Sequence, residues 1–256
     1  MLEFLAKAVA VSNPLELFPV RRPPAVPEGI RVYAVGDIHG RADLLEDVLL
    51  RIDADLKRDR PRRAIQIFLG DYVDRGPHSR KVIEILAQRR EEQELICLKG
   101  NHEDCLLGFL RDPSTLEYWS QLGGIETLKS YGVLPGSSGL ARRRTEIAAG
   151  LSAAIAGRHE QFLRALDLTF SLGDFFFVHA GVNPNLPLSE QRESDLLWIR
   201  AEFLNSEKDF GKMIVHGHTP TIEPEVRTNR IGIDTGAFAT NNLTCLIIEG
   251  DALALL

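Results

Sequence analysis

Apolar positions along this chain follow two rhythms. Short runs of strand-forming residues, RVYAVGD (31–37), AIQIFLGD (64–71) and ELICLKGN (94–101), each close on Gly followed by Asp or Asn. After the first run, Leu44, Leu45, Val48 and Leu49 recur at helical spacing, which predicts an amphipathic helix. A second helix is expected over about 79–91, so strand and helix alternate in the manner of βαβ units. Residues 103–166 change character: rich in Leu, Ala, Arg and Glu, they read as several helices broken at LGG (122–124) and LPGSSG (134–139). This predicts a helical cap inserted at about 104–166. Strands return at LTFSL (168–172) and DFFFVHAG (174–181), and a loop and helix follow to about 205. KMIVHGH (212–218), EVRTN (225–229), RIGIDTG (230–236) and LTCLIIEG (243–250) then read as a β meander. The fold class expected is α/β with mixed sheets.

Before the first strand, MLEFLAKAVAV places Leu2, Leu5 and Val9 at helical spacing, and residues 12–29 carry five of the thirteen prolines. Residues 1–30 therefore read as a short helix and a Pro-rich arm, and 31–256 as a single domain. The opening stretch is too short to span a bilayer and lacks the plan of a secretory signal. A net charge of −6 gives no basic stripe for a nucleic-acid partner. The basic cluster Arg142, Arg143 and Arg144 reads as a solvated helix face. Three cysteines with no C-x-x-C pair are not a disulfide framework and fit a cytoplasmic protein.

KGNHEDCLLGFLR (99–111) holds two competing phosphatase signals. Cys105 and Arg111 satisfy C-x5-R, the spacing of a thiolate nucleophile with an arginine for the phosphate. Such a loop must turn its N–H groups inward around an anion, which requires small residues between the two. Leu106, Leu107, Phe109 and Leu110 instead read as a buried helix face, with Cys105 packing as a small hydrophobe. Glu103 and Asp104 would raise its pKa.

The metal reading is stronger. Ligands of open α/β sheets gather at the carboxyl ends of strands. Asp37 and His39, Asp71 and Asp74, and Asn101 and His102 all sit there, as do His179 and the pair His216/His218. Five of the seven histidines lie in these motifs. Carboxylate, imidazole and amide oxygen without thiolate suit manganese, iron or zinc. Asp37, Asp71 and Asn101 singly would pass for helix caps; together, with their flanking motifs, they predict a crevice.

GDIHG (36–40), GDYVDRG (70–76), GNHE (100–103), VHAG (178–181) and HGHTP (216–220), in this order, resemble the phosphoprotein phosphatase family of metallophosphoesterases, bacterial and phage-lambda type. The resemblance spans about 31–236. It implies a calcineurin-like architecture: a central mixed two-sheet β sandwich flanked by helices. It implies two divalent cations, manganese first and iron or zinc as alternatives, held by Asp37, His39, Asp71, Asn101, His179 and one histidine of HGH. Asp71 would bridge them. Arg75 and Arg200, with Asn101, would hold the phosphate, His102 would protonate the leaving oxygen and Asp74 would orient it. Residues two apart on a strand face the same way, so geometry leaves the HGH pair open; the family's Gly-His-Thr selects His218 and leaves His216 supporting from behind. Asp234 in GIDTG reads as a turn former, His78 and His159 as surface residues, and Gly40 and Gly76 as tight-turn residues.

The expected activity is hydrolysis of a phosphomonoester, first a serine/threonine phosphoprotein, since Asp74 is a position from which symmetrical dinucleoside tetraphosphatases tend to depart. The alternative substrate is a small molecule, a dinucleoside polyphosphate such as diadenosine tetraphosphate. A third reading, from another class, is a phosphoprotein-binding module without turnover. Cys105→Ser is expected to keep most activity; lost turnover at normal metal content would restore the thiolate reading.

Overall fold

The computed structural model describes residues 22–133 and 140–256. The predicted N-terminal helix, Pro14, Pro19 and the LPGSSG break lie outside the described residues.

Strand β1 (Ile30–Val35), helix α1 (Ala42–Arg58), β2 (Arg63–Phe68), α2 (Ser79–Glu92) and β3 (Leu95–Cys97) form the predicted βαβ series. The insertion follows as α3 (Asn101–Arg111), a 3-10 turn (Pro113–Thr115), α4 (Leu116–Gln121), α5 (Gly124–Ser130), α6 (Leu140–Ile155) and α7 (Arg158–Arg164). The second half comprises β4 (Thr169–Leu172), β5 (Phe175–Val178), α8 (Glu193–Trp198), α9 (Ala201–Leu204), β6 (Met213–His216), β7 (Glu225–Val226), β8 (Arg230–Gly232), α10 (Ala237–Thr240), β9 (Cys245–Glu249) and β10 (Ala252–Leu255).

The strands make two mixed five-stranded sheets, ordered β10-β9-β1-β2-β3 and β4-β5-β6-β8-β7. The expected meander over the last third is corrected. β6 pairs parallel with β8, β7 is a short antiparallel edge, and β9 leaves for the other sheet, antiparallel to β1. The strand expected at 225–229 stops at Val226 because the chain turns back, Arg227 N–H donating to Arg230 O at 2.8 Å.

Side-chain alternation builds the layers. Val32, Ala34, Ile65 and Ile67 point inward against Phe175, Phe177, Val215 and Ile231, filling the space between the sheets. Tyr33, Val35 and Phe68 point the other way, under α1, α2 and the insertion. Phe176, Val178 and Ile214 face Leu196, Ile199 and Phe203 on the far side. Both faces of each central strand are buried, hence the nearly continuous apolar runs. The end of the Pro-rich arm is laid across both sheets: Ala25 N–H donates to the Asp174 carboxylate at 3.0 Å and Val26 N–H to Gly250 O at 2.9 Å.

One ionic cluster pins β1 to its neighbours. The buried Arg31 donates to Asp55 at 3.0 Å, to Asp59 at 2.6 Å and to Glu249 at 2.8 Å, while the Tyr33 hydroxyl donates to Asp55 at 2.7 Å. Removing one member of a buried pair leaves a charge uncompensated and costs about 3–5 kcal/mol. An exposed pair, such as Arg63 with Glu94, is worth about 1 kcal/mol at most. Arg31→Met is therefore expected to lower the urea midpoint well beyond Arg63→Ala; equal shifts would remove the cluster from the fold's stability.

Candidate active site

The motifs after β1, β2 and β6 sit on tight loops, while Asn101 and His102 open α3. His39, Asp71, Asp74, Arg75 and His218 all adopt left-handed backbone, with φ of 46°, 52°, 70°, 67° and 64°, although none is glycine. Among the described non-glycine residues only Asn241 shares that conformation. Such residues cost about 1–3 kcal/mol each and persist where surrounding structure fixes them. Here the loops after β1 and β2 are laced together. His39 N–H donates to Asp71 O at 2.8 Å, Gly40 N–H to Tyr72 O at 2.9 Å and Gly76 N–H to His39 O at 3.1 Å. A Cβ on Gly76 would lie 2.1 Å from His39 O, so this approach requires glycine, as the sequence predicts.

Glu103, the last residue of GNHE, is the anchor that the sequence reading passed over. Fully buried, its carboxylate accepts from Asp71 N–H at 2.9 Å, Tyr72 N–H at 2.8 Å, Val73 N–H at 3.2 Å and Gly100 N–H at 2.9 Å. Burial, then the nearby Asp71 charge, pushes its carboxyl up to about 7. The available signal was an acid at the third position of a helix, reaching back to the N–H of Gly100.

The two oxygens of Asp71 face different partners. Oδ2 lies 3.5 Å from His39 Nε2, and Oδ1 lies 3.4 Å from His179 Nε2. The other ring nitrogen of each imidazole donates to a backbone carbonyl, His39 Nδ1 to Val73 O and His179 Nδ1 to Leu69 O, both at 2.9 Å. That is how metal-ligating histidines are oriented. Asn101 Oδ1 lies 2.9 Å from both His179 Nε2 and His218 Nδ1. Ligand atoms of His39, Asp71 and His102, and separately of Asp71, His179 and His218, fall within 4.8 Å of one another. Of the six predicted ligands, His39, Asp71, His179 and His218 fall in these groups; Asn101 touches two of them, and the Asp37 carboxylate accepts from His218 N–H at 3.1 Å.

These residues fit two cations. His218 Nε2 is buried without a hydrogen-bond partner among the described residues. Burial pushes the Asp37 carboxyl well above its usual range, and the charges of Asp234 and Asp71 push it further. Burial likewise holds His39 down to about 3 and His218 down to about 2, so both imidazoles are neutral at pH 7, as ligands must be. Asp234 shapes its turn as predicted, accepting from Gly236 N–H at 2.8 Å. Its charge also raises the Asp37 carboxyl, an influence the turn reading did not foresee. His216 is not in either ligand group; its ring packs edge-on against Phe203 at 5.0 Å.

His102 belongs to the first of these groups by distance, yet both its nitrogens are engaged. Nδ1 is 2.8 Å from Asp74 Oδ2 and Nε2 is 3.2 Å from Arg75 Nη2. Burial opposes its charged form, but Asp71 and then Asp74 outweigh burial and hold its pKa above the ordinary value. The insertion reaches down to fix this pair. Trp119 Nε1 donates to Asp74 Oδ2 at 2.8 Å and the Thr127 hydroxyl to Asp74 Oδ1 at 2.6 Å. Gly123 O accepts from Arg75 N–H at 3.2 Å.

Arg200 is exposed in the break between α8 and α9 and donates to Thr219 Oγ1 at 3.0 Å, next to His218. His78 is exposed as predicted, but His159 is buried, its nitrogens 2.9 Å from the Tyr131 hydroxyl and 2.7 Å from Glu84. Tyr131 and Glu84 satisfy the ring, which is why it need not face water. Arg144 bridges to Glu117 at 2.9 Å, so that helix face is not wholly solvated. Cys105 and Arg111 lie in one helix, α3, and burial pushes the Cys105 thiol up to about 12, which leaves no thiolate.

The sequence profile described as Calcineurin-like phosphoesterase matches residues 30–246. The chain is 26% identical to the asymmetrical bis(5'-nucleosyl)-tetraphosphatase PrpE of Oceanobacillus iheyensis, over 84% of this chain and 87% of that protein. The fold is similar to a crystal structure of a candidate diadenosine tetraphosphatase, with a TM-score of 0.60 at 20% identity over 92% of this chain and 98% of that one. It is also similar to a cold-active protein tyrosine phosphatase, with a TM-score of 0.58 at 18% identity over 90% of this chain and 78% of that one. General acids contribute about 10²–10⁴-fold to rate. His102→Asn is therefore expected to keep its bound metal and to slow alkyl phosphates far more than aryl phosphates; an equal loss on both would remove His102 as the acid.

Proposed function

The chain belongs to the calcineurin-like phosphoesterase family, whose members are metal-dependent phosphoester hydrolases, and on that premise we propose that it hydrolyses dinucleoside polyphosphates such as diadenosine tetraphosphate. The observation that carries this reading is the similarity to a tetraphosphatase over 84% of the chain. It reverses the expectation of a phosphoprotein substrate. That expectation leaned on Asp74 as a departure from the symmetrical tetraphosphatases, whereas this relative is asymmetrical.

In this reading Asp37 and His39 would hold one cation, Asn101, His179 and His218 would hold the other, and Asp71 would serve both. Two such cations supply a water acidic enough to attack phosphorus near neutral pH and offset charge on the phosphate. The chain supplies the rest. Arg75 and Arg200, with the Asn101 amide, hold phosphate oxygens, for which a planar guanidinium suits better than an ammonium. His102, held through Nδ1 by Asp74, delivers a proton from Nε2 to the leaving oxygen once the Arg75 guanidinium, which donates to that nitrogen at 3.2 Å, turns to the phosphate. Asp74 fixes the ring and is itself fixed by Trp119 and Thr127. Manganese remains the first cation to try, with iron and zinc next.

The test is a competition with added manganese, diadenosine tetraphosphate against a phosphoserine peptide. The tetraphosphate is expected to show a kcat/KM at least about 10-fold higher. Preference for the peptide would overturn the proposal. No turnover of either, nor of an aryl phosphate with any of the three metals, would leave a binding module.

A further inference from the structure

Phe238 is one of four large apolar side chains that stand exposed among the described residues, the others being Leu50, Tyr118 and Ile222. A single exposed apolar residue needs no explanation in itself. This one does, because of what it touches. The Arg75 guanidinium carbon lies 4.8 Å over its ring centroid, and the His39 ring meets it edge-on at 5.6 Å. Phe238 therefore stands at the lip of the crevice, in contact with the arginine assigned to the phosphate. It remains 39% exposed even with Arg75 stacked on it.

The segment that carries it is fixed at both ends. Gly236 and Asn241 flank α10 in left-handed backbone, with φ of 65° and 59°. Arg41 donates to Ala237 O at 3.0 Å and to Asn241 Oδ1 at 2.6 Å, and Thr240 Oγ1 donates to Thr235 O at 2.7 Å. A ring held this way is presented to solvent without the entropy cost of ordering it on binding.

We infer that Phe238 is a stacking platform for the base of a nucleoside 5'-phosphate whose phosphate is held by Arg75. An aromatic face beside a phosphate-holding guanidinium matches the two ends of such a group. The anion pairs with the arginine, and the planar base lies on the ring one sugar away. Stacking accepts any base, because every base has a π-face. This inference rests on the proposed dinucleoside substrate and goes further, since it assigns the residue that distinguishes a nucleotide from a bare phosphate.

The test uses manganese-loaded enzyme, an aryl phosphate as reporter substrate and three non-hydrolysable inhibitors: the 5'-phosphonate analogue of adenosine monophosphate, the matching ribose phosphonate, and phenylphosphonate. The adenosine compound is expected to inhibit about 10-fold more tightly than the ribose compound. Phe238→Ala should erase that gap while the ribose compound keeps its inhibition constant, and Phe238→Trp should retain it. Four results would overturn the platform: no gap in the parent enzyme, a gap that survives Phe238→Ala, a parallel loss for both compounds, which would mean that Phe238 acts only through Arg75, or a Phe238-dependent advantage for phenylphosphonate equal to that of adenosine, which would assign the ring to phosphotyrosyl groups. Direct turnover of diadenosine tetraphosphate separates the two proposals. If it fails while the Phe238-dependent gap stands, the dinucleoside reading alone falls; if it succeeds without the gap, the platform alone falls.

Discussion

One buried carboxylate holds this site in shape. Glu103 accepts four backbone N–H groups, three of them from consecutive residues of the Asp71 loop and one from the start of α3. Asp71 can hold its left-handed backbone because those N–H groups have nowhere better to point. Without the carboxylate each would be a buried, unsatisfied donor, at about 1–3 kcal/mol apiece. The same contact brings the loop after β2 against the helix that carries Asn101 and His102. Asp71, Asn101 and His102 thus share one support, reached from two separate points in the chain.

The insertion serves the chemistry as well as covering it. Asp74 receives hydrogen bonds from Trp119 and Thr127, both fully buried, and its own N–H donates to Thr127 Oγ1 at 2.9 Å and Ser79 Oγ at 3.1 Å. A carboxylate held by that many donors has one orientation left, and the His102 ring inherits it. Gly123 adds a close approach: a Cβ there would lie 2.7 Å from Arg75 N, so the break at LGG that marks a helix boundary in the sequence is also a contact with the site.

Much of this could be read from the residues. The alternation of strand and helix and the helical insertion follow from apolar rhythm, and the two-sheet arrangement from the family resemblance. The polar residues that recur at strand ends predict a crevice and the resemblance names its ligands, of which the structure brings His39, Asp71, His179 and His218 into two groups that share Asp71. What escaped the sequence has physical reasons. β6, β8 and β9 each look like an ordinary strand, and which sheet a strand joins is set by long-range pairing that no local pattern encodes. Glu103 as an anchor, and the influence of Asp234 on Asp37 beyond its predicted turn, escaped because an acid beside a helix or in a turn has a sufficient local explanation. His159 looked solvated because Tyr131 and Glu84, its partners, lie 28 and 75 residues away. The similarity to a tetraphosphatase favours the alternative substrate class over the first for a related cause: the motifs report the chemistry at phosphorus and not what the phosphate is attached to.

The acids explain why such a strained arrangement is worth keeping. Asp37, Asp71, Asp74, Glu103 and Asp234 are all buried. Burial and mutual repulsion drive Asp37 and Glu103 toward their protonated forms, while Asp71 alone is held well below the usual range, against burial, by His179, His102, His39 and His218. A group of carboxylates this crowded is poor at stabilising a fold and well suited to binding cations, because every dication that enters relieves repulsion as well as gaining ligands. Since ligand binding stabilises whichever state it prefers, the free energy that the left-handed loops cost is recovered where the cations bind. Strain, acid density and ligand geometry are therefore one design: the loops are bent to bring the acids together, and the acids are brought together to be neutralised by metal.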